Sequence, residues 1–213
     1  MNRTEAILTV GSGLSDTSKM PSYSFNLSAL DCVTGSKLVG VKGSVCEDCY
    51  ALGGNYQRYK LPVKMQPKTD KINNPLWVNA MVYLIEHQGN KKDKKFFRWH
   101  DSGDIQSLDH LYKIVQVCKK TPNVKHWIPT REYKIVKMYL DIHGEFPENL
   151  TVRLSAHMVD QKAPNIKGLT TSTVHSEKTP IGTVCEAFKQ ENQCLDCRLC
   201  WDSSNKNISY KKH

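Results

Sequence analysis

Segments with a strand pattern alternate with segments with a helix pattern, and this alternation limits the possible folds more than any other feature of the chain. Two helices separate the middle strands: one is capped by Ser107, and the next ends at Gly144. An earlier helix begins at Asn74–Pro75. Repeated β-α units predict parallel strands covered by helices, so we expect an α/β fold that forms a partial or TIM-like barrel, or an open sheet. The predicted strands are YSFNLSAL, KFFRWHD, VKHWIPT, NLTVRLSA and LTTSTVHS.

The 213 residues fit one domain, because no linker or low-complexity segment divides them. We therefore expect a single α/β domain over residues 1–213, with cysteine-rich metal-binding loops at 32–49 and 185–200 as additions near its ends. The N-terminal segment lacks the pattern of a signal peptide, and the longest apolar stretch, PLWVNAMVYLIE, is too short to cross a membrane. Both features predict a cytoplasmic protein with no membrane partner.

Three cysteines, Cys194, Cys197 and Cys200, stand three residues apart in CLDCRLCWDSSN. Thiols stay reduced in the cytoplasm, which disfavours disulfides and leaves zinc or an iron–sulfur cluster. Structural zinc usually takes two C-x2-C pairs, whereas C-x2-C-x2-C is typical of a [4Fe–4S] cluster whose fourth ligand comes from elsewhere in the chain. Cys185 is the natural fourth ligand. The spacing favours the cluster, with zinc as the alternative.

A second group of cysteines consists of Cys32, Cys46 and Cys49. Because these three have no fourth cysteine nearby in the sequence, they predict a second [4Fe–4S] cluster with one iron open to a ligand. A closed cluster is the alternative, with His100 or Asp101 as the fourth ligand. Another closed arrangement would pair Cys46 and Cys49 with two of the C-terminal cysteines, since chain ends often meet in compact domains.

Polar residues follow the predicted strands, and in parallel α/β folds the working site lies at the carboxyl ends of the strands. We expect Asp101 or Asp104 to be the acid–base group, with His100 beside them. We expect Arg131 and Arg153 to orient an anionic substrate. A network of ion pairs at the rim of the sheet would explain the same residues. The polar residues at the strand ends are Arg98, His100, Asp101, Asp104, Thr130, Arg131, Glu132 and Arg153.

Two other residues fit the core instead of a site. Cys118 continues the apolar face that Leu111 and Ile114 begin, which predicts a buried thiol. His126 lies inside a predicted strand, and we expect it to be a structural histidine.

Five blocks of the sequence resemble successive blocks of the phage gene-product-88-type family and cover most of the chain. The resemblance implies a phage protein that works in the cytoplasm of the host cell. The C-x2-C-Y-A block is also similar to that of another phage family suspected of a radical-SAM-like barrel. The five blocks are CEDCYALGGNY, FFRWHDSGDIQS, HWIPTREY, NLTVRLSA and CLDCRLCWDSSNKNISYKKH.

Radical SAM enzymes hold a [4Fe–4S] cluster on three cysteines, and its open iron binds S-adenosylmethionine. The similarity implies that Cys32, Cys46 and Cys49 hold this cluster, with Tyr50 in a cofactor-binding position next to the last cysteine. It also implies that the four C-terminal cysteines hold an auxiliary cluster. The spacing here is C-x13-C-x2-C, whereas radical SAM enzymes usually have C-x3-C-x2-C.

The formal net charge of +9 favours a polyanion as partner, and nucleic acid or a nucleotide is the default candidate. Tyrosines next to basic residues in GGNYQRYK could stack bases. The basic run at Lys91, Lys92, Lys94 and Lys95, taken alone, is better explained as a solvated loop between a helix and a strand. Two functions follow: an iron–sulfur enzyme that acts on a nucleotide or nucleic acid, or a non-catalytic protein that binds nucleic acid or a host protein and uses metal only as a staple. No feature of the sequence indicates an oligomeric state.

Overall fold

The structure, a computed structural model, describes residues 1–212. The helices of this part are α1 (Arg3–Val10), α2 (Val33–Leu38), α3 (Gly54–Arg58), α4 (Leu61–Lys71), α5 (Trp77–Glu86), α6 (Leu108–Lys120) and α7 (Tyr133–His143). The strands are β1 (Tyr23–Phe25), β2 (Phe96–Trp99), β3 (Lys125–Thr130), β4 (Leu150–Ser155), β5 (Thr170–His175), β6 (Thr183–Val184) and β7 (Asn207–Lys211). Short 3-10 turns lie at Ala29–Asp31, Tyr50–Leu52, Glu186–Lys189 and Leu199–Trp201.

The seven strands form one sheet in the order β1-β2-β3-β4-β5-β7-β6, and every neighbouring pair is parallel. The predicted mixed α/β fold with parallel strands is therefore confirmed. Because all strands run the same way, their carboxyl ends lie along one edge of the sheet. Residues that follow β1 to β4 in the sequence are brought to this edge.

The alternation of strand and helix stops at β4. Helix α6 joins β2 to β3, and α7 joins β3 to β4, as the sequence predicts. In the described chain, the connections at 156–169, 176–182 and 185–206 contain no α-helix. One face of the sheet is therefore covered by helices, and the segment 185–206 is free to cover the other. No helix within residues 1–212 is long and apolar enough to cross a membrane.

The helix-covered face carries the hydrophobic core. On α6, the Ser107 hydroxyl accepts a hydrogen bond from His110 N at 3.1 Å, which confirms the predicted cap. The apolar side of this helix, including Leu111, Ile114 and the predicted core thiol Cys118, is fully buried. Gly144 ends α7 with a φ of 81°, a value that residues with a side chain rarely adopt. Both helix boundaries follow from the local chemistry of the chain.

The opposite face of the sheet is covered by the C-terminal segment around Trp201. Its indole Nε1 donates to Phe97 O at 2.8 Å. Its ring packs edge-on against Phe96 and Trp127, with ring centroids 5.4 Å and 5.2 Å away. Since Phe96 and Trp127 lie on neighbouring strands, Trp201 fixes the end of the cysteine run against the middle of the sheet.

Three buried histidines lie among the aromatic rings of the core. His126 accepts from Trp99 Nε1 at 3.2 Å and lies 2.8 Å from the Thr121 hydroxyl, which confirms its structural role. Burial lowers the pKa of His100 and of His126 to about 3. Burial also lowers the pKa of His110 well below its ordinary value. All three rings are therefore neutral in the folded protein at pH 7.

These histidines predict a loss of stability in weak acid. The unfolded chain binds a proton on each histidine below about pH 6.5 and the folded chain does not. Each histidine should therefore lower the free energy of unfolding by about 1.4 kcal/mol per pH unit as the pH falls below 6.5, and the contributions of His100 and His126 should continue to about pH 3. Burial raises the pKa of Asp104 to about 6. Between pH 6 and the ordinary pKa of an aspartate, the folded chain therefore binds a proton that the unfolded chain does not, and this offsets the loss of stability from one of the three histidines. Urea unfolding of wild type and His126→Gln between pH 7 and 5 measures the slope. The variant should lose about a third of the histidine contribution, and equal slopes would contradict the assignment.

Candidate functional site

The three N-terminal cysteines meet at the carboxyl edge of the sheet. A Cβ atom at Gly35 would lie 3.6 Å from Cys32 Sγ and 3.9 Å from Cys46 Sγ, so the two sulfurs flank one point. Burial raises the pKa of the Cys32 thiol to about 12. The charges of Asp104, Cys49 and Cys46 contribute to this rise in pKa, which requires all three to lie near the Cys32 sulfur. We call these three cysteines the N-terminal cysteine site.

Two contacts hold this site against the sheet. Cys32 precedes α2, where the Glu132 carboxylate accepts from Thr34 N at 2.8 Å and from the Thr34 hydroxyl at 2.9 Å. Before Cys46, Val45 N donates to His157 O at 2.9 Å, just beyond β4. The site is therefore fixed beyond the ends of β3 and β4. Glu132 was placed at a strand end by the sequence, but its partner Thr34 lies too far away in the chain to be predicted.

Asp104 is the most constrained carboxylate near the N-terminal cysteine site. Its Oδ1 accepts from the Thr130 hydroxyl at 2.6 Å and from Ile105 N at 2.8 Å, and its Oδ2 accepts from Arg131 N at 2.9 Å. Burial nevertheless raises the pKa of Asp104 to about 6. A carboxyl group with a pKa this close to neutrality can both accept and release a proton, as the predicted acid–base role requires.

Asp101 lies at the end of β2 and faces a group of hydroxyls. Its Oδ1 accepts from the Ser24 hydroxyl at 2.8 Å, and its Oδ2 lies 3.5 Å from the Tyr56 hydroxyl. The Tyr50 hydroxyl donates to the Asp101 carbonyl, while the Tyr50 side chain as a whole is 61% exposed. Gly103 makes this turn possible, because a Cβ there would lie 2.6 Å from the Leu27 side chain. Tyr50 thus spans from solvent to the strand ends.

Lys68 is a buried lysine that the sequence did not identify. Its Nζ donates to Asn26 O at 3.1 Å and lies 4.9 Å from the centre of the Phe25 ring. Burial lowers the pKa of Lys68 to about 8, and the charge of Asp101 opposes the change. Lys68 sits in a helix of low hydrophobicity, so only the packing of α4 over β1 could reveal it.

His100 follows β2 but turns toward the core. Its φ of 61° is rare for a residue with a side chain, and it breaks the alternation of the strand. Its Nδ1 lies 3.1 Å from Phe25 O, its ring lies 5.3 Å from that of His110, and its Nε2 has no hydrogen-bond partner. The side chain is 3% exposed. His100 therefore lies among core rings instead of at the exposed mouth.

Arg153 lies on the face of β4 that the helices do not cover, and the chain itself accepts hydrogen bonds from its whole guanidinium group. Its five hydrogen bonds go to backbone carbonyl groups, at distances of 2.7 to 3.4 Å. A guanidinium has five N–H donors, so none remains for an anionic substrate. Arg153 instead holds the segment that carries the C-terminal cysteines. The carbonyl groups belong to Thr171, Leu199, Cys200, Asp202 and Asn205.

The four C-terminal cysteines form a second group, on the face of the sheet that carries Arg153. Burial raises the pKa of Cys200 to about 12, and the charges of Cys185 and Cys194 contribute to the rise. The charge of Cys197 likewise helps to raise the pKa of Cys185 and of Cys194. The four thiols therefore lie near one another. We call them the C-terminal cysteine site.

Contacts from distant segments position the C-terminal cysteine site. The Tyr210 hydroxyl on β7 lies 3.3 Å from Cys200 Sγ. Cys185 N donates to Ser209 O at 2.9 Å, and Cys194 N donates to Lys19 O at 3.0 Å. All eight cysteines of the chain are free thiols. Within residues 1–212, no three histidine, cysteine, aspartate or glutamate side chains are close enough together to hold one metal ion.

Comparison with known proteins identifies a family. The model of the family described as Gene product 88 matches residues 2–203 of the chain, a range that includes both cysteine sites. No curated protein and no solved structure was found to be similar to the chain.

Removal of the Arg153 side chain should destabilise the protein strongly. Arg153→Met leaves several buried carbonyl groups without a donor, so we expect a loss of about 3 kcal/mol or more in the free energy of unfolding. Arg98→Met is the matched control, because the Arg98 guanidinium on β2 has no oxygen acceptor within hydrogen-bond distance. Urea unfolding of the two variants measures the difference. Equal losses would contradict the structural role of Arg153.

Proposed function

We propose that this chain, which belongs to the Gene product 88 family, is an iron–sulfur protein with one [4Fe–4S] cluster at each cysteine site. The observation that carries the proposal is the convergence of Cys32, Cys46 and Cys49 at the carboxyl edge of the sheet. These residues belong to two separate segments of the chain, and no disulfide joins them. Three free thiols that lie near one another beside a buried carboxyl group support a cluster, in which each thiolate binds a different iron.

The two sites differ in the number of available thiols. The C-terminal site offers four, which would close a cluster. The N-terminal site offers three, so one iron of its cluster would stay open to a ligand from solution. Gly35 packs closely against this site, because a Cβ there would lie 3.1 Å from the Cβ of Cys32.

Zinc is the second candidate for either site. Four thiolates on one zinc lie about 3.8 Å from one another, since each Zn–S bond is about 2.3 Å long. In a [4Fe–4S] cluster each thiolate binds a different iron, so the sulfurs need not meet at one point. The three-residue spacing of Cys194, Cys197 and Cys200 supports the cluster.

For the N-terminal site we further propose radical-SAM-like chemistry. An open iron there would bind S-adenosylmethionine and supply one electron to it, with an external one-electron reductant. The consecutive order of β1 to β5 supports a partial barrel, and the site lies at the carboxyl edge, where the active sites of such barrels are found. Asp104 would hold or release a proton at its carboxyl oxygens, and Tyr50 would line the cofactor-binding position next to Cys49.

We propose a nucleotide or nucleic acid as the substrate or partner. The net charge of +9 supports a polyanion. Exposed aromatic and basic residues lie together next to the N-terminal cysteine site, on α3 and the start of α4, where bases could stack and phosphates could bind. These residues are Tyr50, Arg58, Tyr59, Lys60 and Lys64.

A non-catalytic protein stapled by metal is the alternative. One observation favours it: the C-terminal cysteine site is held to the sheet by Arg153 and Trp201, so a metal there would close a face that helices do not cover. This alternative makes the N-terminal site structural as well, and it predicts that the metal content affects stability alone.

Metal analysis tests the proposed clusters. Protein purified without air should be brown and contain about eight irons and eight sulfides per chain. The double variants Cys46→Ala/Cys49→Ala and Cys194→Ala/Cys197→Ala should each retain about four irons, because each removes two ligands of one cluster. Cys118→Ala, which alters a buried thiol outside both sites, should retain about eight. Colourless protein with stoichiometric zinc would contradict the proposal.

Salt dependence tests the nucleic-acid partner. Binding of a single-stranded oligonucleotide should weaken log-linearly with salt, and the triple variant Arg58→Gln/Lys60→Gln/Lys64→Gln should lower the slope by about two units. The control is Lys91→Gln/Lys94→Gln/Lys95→Gln, which removes three charges at the other edge of the sheet. Fluorescence anisotropy measures both slopes. An equal effect of the two variants, or no binding at about 50 mM salt, would contradict this partner.

A further inference from the structure

We propose that Arg98 and Arg131 form a binding site for an oxyanion of the substrate, a phosphate or a carboxylate, beside Tyr50. The inference rests on the proposed function only in placing the substrate at the N-terminal cysteine site. The donors of Arg153 are all used within the chain, so Arg98 takes the role in substrate binding that the sequence predicted for Arg153. Arg98 lies two strands away on the same face of the sheet.

The Arg98 guanidinium has no oxygen acceptor. Its Cζ stacks 4.7 Å from the centre of the Trp127 ring, and its Nη1 contacts only Met20 Sδ, at 3.5 Å. Its Nε is buried without a hydrogen-bond partner. Stacking on Trp127 fixes the plane of the group and leaves its edge free. A half-buried guanidinium with unused donors is the arrangement that binds phosphate and carboxylate groups through two parallel hydrogen bonds.

Arg131, at the end of β3, also has a guanidinium group without an oxygen acceptor. Its backbone N–H and carbonyl are used, by Asp104 and His157, but its side chain forms no hydrogen bond within residues 1–212. Its Nε is also buried without a partner. Neither Arg98 nor Arg131 forms a salt bridge with a described carboxylate. Two uncompensated guanidinium groups therefore remain on neighbouring strands.

The nearby carboxylates form no salt bridge with these arginines. Asp101 accepts from Ser24 and faces Tyr56, while the oxygens of Asp104 are used by Thr130 and two backbone N–H groups. Two other enclosed arginines differ in this respect. Arg198 donates to two carbonyls and to Asp93, and Arg153 donates to five carbonyls. Arg98 and Arg131 have no such oxygen acceptor among the described residues.

Tyr50 links the two arginines to solvent. Burial of its hydroxyl raises the pKa of Tyr50 to about 12, and both Arg98 and Arg131 oppose this rise in pKa, so each guanidinium lies near the phenol oxygen. Its exposed ring also lines a cavity of about 540 Å³ together with Cys49 and Asn55. A cavity of this size fits a nucleotide-sized molecule. Neither arginine lines this cavity, whose wall also carries Glu47 and Asp48. We therefore place the oxyanion on the hydroxyl side of Tyr50, near the two guanidinium groups, and the remaining part of the ligand beside the exposed ring.

Binding of adenosine 5′-monophosphate and adenosine to the whole protein, measured by calorimetry, tests the inference. Wild type should bind the monophosphate about tenfold tighter than adenosine, because a charge-assisted pair with an arginine is worth more than one neutral hydrogen bond. Arg98→Gln and Arg131→Gln should each remove most of this preference. Lys119→Gln, which removes one exposed charge at the other end of α6, should retain it. Arg98→Lys keeps the charge but loses the fork of donors, so its preference for the monophosphate should lie between those of wild type and Arg98→Gln. This variant also tests the inference if Arg98→Gln does not fold.

The outcomes separate this inference from the proposed function. Iron content is measured on every sample, so absence of clusters in wild type would contradict the proposed function while the preference for phosphate is still measured. Competition by succinate that depends on Arg98 and Arg131 would assign the site to carboxylates, within the same oxyanion chemistry. Equal affinities for the monophosphate and adenosine in wild type, or a preference that survives in Arg98→Gln and Arg131→Gln, would overturn the inference.

Discussion

Four of the five hydrogen bonds of Arg153 join the C-terminal segment to the sheet, and much of the remaining structure depends on them. The guanidinium lies on the helix-free face of β4 and binds carbonyl groups on both sides of Trp201. Burial of an arginine is costly unless all its donors are used, so this contact specifies one path for the segment. That path places Cys200 against Tyr210 and brings the four C-terminal thiols together. It also covers the face that α6 and α7 leave open.

The cost of enclosing a guanidinium group without hydrogen-bond acceptors also applies to Arg98. Arg98 and Arg153 lie on one face of the sheet, both partly or fully enclosed, but only Arg153 is satisfied by the chain. An enclosed guanidinium without an oxygen partner raises the free energy of the folded state unless a ligand or water compensates for it. The N-terminal cysteine site lies at the carboxyl edge of the sheet, where the contact of Glu132 with Thr34 holds it. Unsatisfied charge and converging thiols thus occur together, as is typical of functional sites.

Local patterns predicted the elements whose stability is local. The hydroxyl of Ser107, the apolar side of α6 and the left-handed Gly144 are each encoded within a few residues, and the structure contains all three. The hydrogen-bond partners of Arg153 could not be predicted, because they lie 18 to 52 residues away in the chain. The burial of His100 among core rings could not be predicted either, because it depends on a positive φ that no local pattern indicates. The role of the N-terminal site in holding a cluster stays a prediction.

Electron paramagnetic resonance tests whether the N-terminal cysteines leave one iron of their proposed cluster open. The variant Cys194→Ala/Cys197→Ala isolates the N-terminal site, and dithionite reduces its cluster. We expect a [4Fe–4S] signal whose g values shift when S-adenosylmethionine is added, together with release of 5′-deoxyadenosine that Cys49→Ala abolishes. A complete cluster signal that S-adenosylmethionine leaves unchanged, with no 5′-deoxyadenosine released, would show a fourth protein ligand and contradict the proposal of an open iron.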